Sequence, residues 1–95
     1  MRYEAQTYMT PKEVLEAAIS FFGIDLGLAL QSQGPDRLHF VGGGGHVTIN
    51  VRDGVPLAVD FEAREWDAQV EAFMAEIGQK RWWRRFWKGV QQERG

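Results

Sequence analysis

The chain contains no cysteine. That excludes disulfides, thiolate nucleophiles and cysteine-based zinc sites together, and it fits a reducing compartment. No run of about 18 apolar residues occurs, so no segment is expected to span a bilayer. The opening, MRYEAQTYMTPKE, lacks an apolar stretch and does not read as a signal peptide. A cytoplasmic protein is therefore expected. Serine is scarce: Ser20 falls on an expected helix and Ser32 near a turn, and neither has a histidine close in sequence. No nucleophile stands out, no catalytic residue is assigned, and a non-enzyme is expected. No repeat is found, and no low-complexity tract beyond the glycines at 42–45.

The chain has 95 residues, 44% hydrophobic and 25% charged, values suited to one small globular domain with a real core. Residues 2–9 alternate, with Tyr3, Ala5, Thr7 and Met9 on one face, as in a strand. Thr10-Pro11-Lys12-Glu13 is a helix start. Thr10 can cap the free amides, Pro11 suits the first turn and Glu13 completes a capping box. Val14, Ala18, Phe21 and Phe22 follow at helical spacing, and Gly23 is the expected stop.

Four short alternating runs come next: Leu26, Leu28 and Leu30; Leu38 and Phe40; Val47, Ile49 and Val51; Leu57, Val59 and Phe61. Gly34-Pro35-Asp36 and Asp53-Gly54 are turn signals, the second that of a tight hairpin. Strict alternation implies one buried and one wet face, as in an antiparallel sheet. A second helix is expected from about 64 to 77, because Trp66, Val70, Phe73, Met74 and Ile77 form one apolar stripe. The expected fold is α+β, in the order β-α-β-β-β-β-α, with two helices on one face of an antiparallel sheet. Over about residues 2–78 this order resembles one repeat of the TATA-binding-protein fold and is similar to a pared-down helix-grip domain. The resemblance concerns topology alone, and no functional residue carries over from it.

Residues 79–95, QKRWWRRFWKGVQQERG, differ from the rest and are expected to form a basic, aromatic helical tail beside a domain spanning 1–78. The segment holds six basic residues and one acid, a net +5, whereas residues 1–78 hold five basic and twelve acidic residues, a net −7. If the second helix ran unbroken through Gly78, Trp82, Trp83, Phe86, Trp87 and Val90 would face nearly opposite to the stripe that runs from Trp66 to Ile77. Either the chain breaks at Gly78 and the tail folds back onto its own body, or its aromatic face is covered by something else. Arg81, Trp82, Trp83, Arg84, Arg85, Phe86, Trp87 and Lys88 are the expected interaction surface. The partner is a protein or a second copy, or else an anionic membrane surface met peripherally. Nucleic acid is disfavoured, since a −7 body repels it.

The remaining candidates are weaker. Gly42-Gly43-Gly44-Gly45-His46 lacks the lysine and following helix of a phosphate loop and reads as a flexible hairpin loop or bulge. His39 and His46 flank that run and can face one another across a hairpin. Metal sites generally draw on three or four ligands, and the spacing supplies no others, so no metal and no cofactor are expected. Asp60, Glu62, Glu65 and Asp67 form an acidic cluster expected on the wet side of the last strand and the helix start. An alternative function is small-ligand binding, in an apolar pocket between sheet and helices lined by Phe40, Phe61, Trp66 and Phe73.

Overall fold

A computed structural model of the chain describes residues 1–78. The strands are β1 (Arg2–Thr7), β2 (Ala29–Gln33), β3 (Arg37–Gly42), β4 (Gly45–Arg52) and β5 (Leu57–Arg64). The helices are α1 (Pro11–Ala18), which runs directly into a π-helix (Ile19–Asp25), and α2 (67–78). The strands make one five-stranded sheet in the order β1-β5-β4-β3-β2, and every neighbouring pair is antiparallel. The α+β order and the antiparallel sheet expected from the sequence are thus present. The expected tail helix and its interaction residues lie outside the described residues.

The capping box at Thr10 forms in full. The Glu13 amide donates to the Thr10 hydroxyl at 3.2 Å, and the Thr10 amide donates to the Glu13 carboxylate at 2.9 Å. Val14, Ala18 and Phe22 then line one buried stripe. Four α-helical residues over-rotate by about 40°. The wider π turn takes part of that rotation back, which keeps Phe22 above Ala18 and over the sheet.

Gly23 does not stop this helix; it lies inside the π segment. The exit comes at Leu26, whose amide bonds Phe21 O at 3.1 Å, and at Leu28, whose amide bonds Phe22 O at 2.9 Å. Residues 26–28 are therefore spent closing the helix, and β2 starts at Ala29 rather than Leu26. Every residue of β2 is exposed, as an edge strand permits, and its ladder slips between Leu30 and Ser32.

Two other boundaries differ from expectation. The Thr7 hydroxyl accepts the Met9 amide at 3.2 Å, a local turn that ends β1 two residues early. The connection after β4 is not a tight Asp-Gly turn, because Arg52 pairs with Ala58 and residues 53–56 form a longer loop.

The core lies between the inner sheet face and the helices. Leu38, Phe40, Val47, Ile49, Val51, Leu57, Val59 and Phe61 are buried from the sheet side, and Val14, Ala18, Phe22, Val70, Phe73 and Ile77 from the helix side. Its centre is aromatic: Phe73 has ring centres 5.3 Å from Phe22, 5.5 Å from Phe21 and 5.9 Å from Phe61, and Phe22 lies 5.6 Å from Phe40. Such edge and tilted pairs add to area burial because the positive ring edge meets the negative face of its neighbour.

Candidate functional site

With both helices on one face, the chemistry of the described residues gathers on the other. The pleat aims alternate residues outward, so this face carries Arg2, Glu4 and Gln6 from β1, Asp60, Glu62 and Arg64 from β5, His46, Thr48, Asn50 and Arg52 from β4, and Arg37 and His39 from β3.

Two polar clusters form there. In the first, Arg52 donates from Nε to Asp60 Oδ2 at 2.6 Å and from Nη2 to Asp60 Oδ1 at 3.0 Å, and Nη2 also reaches Glu4 Oε2 at 3.0 Å. The register places Glu4 directly opposite Asp60, so the guanidinium bridges two carboxylates that would otherwise repel across the β1–β5 pair. The Arg52 hydrogen bond holds the Asp60 carboxyl below its ordinary range, against a smaller upward push from desolvation. Beside this network lies a concavity of about 220 Å³ bordered by Arg2, Thr48, Asn50, Asp60 and Glu62.

The second cluster is built by the glycine run. Gly43 and Gly44 have φ of 58° and 80°, and Gly42 pairs with Gly45. This is the two-residue hairpin whose turn needs left-handed residues at both centres. Its tightness fixes the β3–β4 register, which sets His39 opposite Thr48 and Val41 opposite His46. His39 and His46 become diagonal neighbours on the outer face, with ring centres 5.7 Å apart and planes at 34°. His39 Nδ1 lies 2.7 Å from Thr48 Oγ1, and Thr48 is buried although it faces outward. The sequence placed His39 on the polar face; the tightness of the turn, which brings the pair together, was not read from the glycines.

The proposed pocket residues sit elsewhere. Phe40, Phe61 and Phe73 are buried in the aromatic centre of the core. Trp66 is half-buried and precedes α2 instead of starting it. Glu65 adopts φ 72° before it, and the indole Nε1 donates to Gly42 O at 2.9 Å. The helix begins at residue 67 because Trp66 is held back over the β3–β4 hairpin. A larger apolar groove of about 460 Å³ lies between α1 and the β2–β3 turn, where Leu15 and Ile19 face Pro35.

Of the acidic cluster, Asp60 is bound to Arg52, while Glu62 and Glu65 are exposed. Asp67 opens α2 with its Oδ1 3.8 Å from the Met1 amine. Among the described residues, no group of three or more histidine or carboxylate side chains is placed to hold a metal ion. No described helix is long and apolar enough to cross a membrane. Comparison with protein-family models and with curated proteins finds no match for the chain.

Proposed function

We infer that the chain is a small non-catalytic interaction module, in which a packed α+β body presents the basic, aromatic segment 79–95 to an acidic protein surface. The observation that carries this reading is where the body ends. Val70, Phe73 and Ile77 use the buried face of α2, and the Thr7 hydroxyl donates to Ile77 O at 3.2 Å. The last described turn of α2 is thus held at the end of edge strand β1, and continuing the helical count through Gly78 would put the aromatic positions of 79–95 out of phase with the stripe that α2 buries. The packing of Phe61 against Phe73 and of Phe40 against Phe22, all four buried, favours this reading over an apolar ligand pocket between sheet and helices.

Charge supports the choice of partner. A +5 segment complements an acidic protein surface, and the −7 body of a second copy is one such surface. The test is tryptophan emission of a Trp66→Phe variant, which leaves Trp82, Trp83 and Trp87 to report. The expected result is exposed emission in dilute solution that shifts to the blue with rising protein concentration, or on addition of an acidic protein, and reverts in salt. A blue position that is independent of concentration would mean that the segment packs on its own body. A shift produced only by anionic vesicles would replace the protein partner with a lipid surface.

A further inference from the structure

The only two histidines of the 95-residue chain stand together on the outer face of adjacent strands. We propose that His39 and His46 form a two-imidazole binding site for a first-row divalent transition ion of the zinc, nickel or copper type. The inference is independent of the reading of segment 79–95, which contains neither histidine nor cysteine.

The spacing fits. With metal–nitrogen bonds of about 2.0–2.1 Å, roughly 1.1 Å more to each ring centre and a tetrahedral angle, two ligating imidazoles have ring centres about 5.2 Å apart. The observed 5.7 Å is reached from there by opening the angle slightly or by a small side-chain rotation.

The surroundings fit as well. His39 Nδ1 is engaged by Thr48 Oγ1 at 2.7 Å. When Nδ1 donates in that bond, Nε2 is the ring atom left to take the metal, and the bond holds the ring's orientation. A hydrogen-bonded partner behind a ligating histidine performs this task in metal sites generally. The strands that hold the two rings are joined by a turn of only two residues, so little chain freedom is lost on binding.

On β5, Glu62 lies opposite Thr48 and Arg64 opposite His46, so the flanking charges offset one another. A donor set of imidazole nitrogens without carboxylate selects zinc, nickel and copper over magnesium and calcium. Two protein ligands leave the remaining positions to water or to a donor from another molecule.

The test is titration of the full chain with Zn²⁺ in a non-coordinating buffer, followed by calorimetry and by imidazole ¹⁵N shifts. We expect one ion per chain, shifts in both rings, no response to Mg²⁺, and a rise in Tm with Zn²⁺. His39→Ala and His46→Ala should each weaken binding by at least about tenfold, and Thr48→Val by about tenfold, with the rise in Tm on adding Zn²⁺ measured against each variant's own metal-free melt. No binding by the wild-type chain up to millimolar Zn²⁺ would overturn the proposal. So would undiminished binding in both alanine variants, which would place the ion on carboxylates instead.

Discussion

The indole of Trp66 fills the space that a side chain on Gly43 would need: a Cβ built on Gly43 would lie 2.7 Å from Trp66 Cζ2. Gly43 also holds φ 58°. Gly43→Ala therefore meets two costs, backbone strain of about 1–2 kcal/mol and displacement of the ring. Denaturant unfolding should show the loss. Trp66→Phe removes the 2.9 Å bond to Gly42 O and by itself should cost about 1 kcal/mol. The double variant should lose less than the sum, because the ring edge that clashes with the new methyl has gone.

Phe73 is the hub of the core, touching Phe21, Phe22 and Phe61 while fully buried. Phe73→Ala is expected to cost about 3–5 kcal/mol, a large share of the stability of a domain this size. Phe73→Leu should recover much of that, which equilibrium unfolding will show.

At the Thr10 capping box both reciprocal bonds are present. Thr10→Ala should cost about 1 kcal/mol and Thr10→Ser little, because serine retains the accepting oxygen. Thermal melts of the two variants separate loss of the cap from loss of the methyl.

Asp60 gives the pH prediction. Its folded-state pKa is lowered by Arg52, so its contribution is fully present above the unfolded carboxylate range and is lost as pH falls through the folded value. Asp60→Asn should be less stable than the wild type at neutral pH. The gap should close on acidification and narrow in salt, since both partners are more than a third exposed. Urea titrations at neutral and acid pH, with and without salt, provide the check.

Features decided by local chemistry were legible in the sequence. The Thr10–Glu13 cap, the Val47–Ile49–Val51 alternation and the Val70–Phe73–Ile77 stripe need only neighbours in the chain, and the structure contains all three. Features decided by distant contacts were not. The π turn brings Phe21 and Phe22 against Phe73, about fifty residues on, and so moves β2 by three residues. Trp66 fits a helical stripe by spacing, yet the Gly42 carbonyl, 24 residues away, keeps it out of the helix. The histidine pair lay between these cases. Alternation gave the face, but proximity depended on the hairpin being two residues long.

One consequence concerns the order of assembly. Strands β2 to β5 follow one another as neighbours, so each can pair with the strand just made. Strand β1 cannot: Arg2 pairs with Glu62 and Thr7 with Leu57. On a ribosome β1 emerges before β5 and must wait for it, and the β1–β5 ladder closes a loop of about fifty residues, the largest entropic step in building the sheet. Until β5 is complete, the nascent chain offers an unpaired strand to whatever is nearby. The two ends of the body thus form a latch that shuts only when synthesis of the sheet is finished.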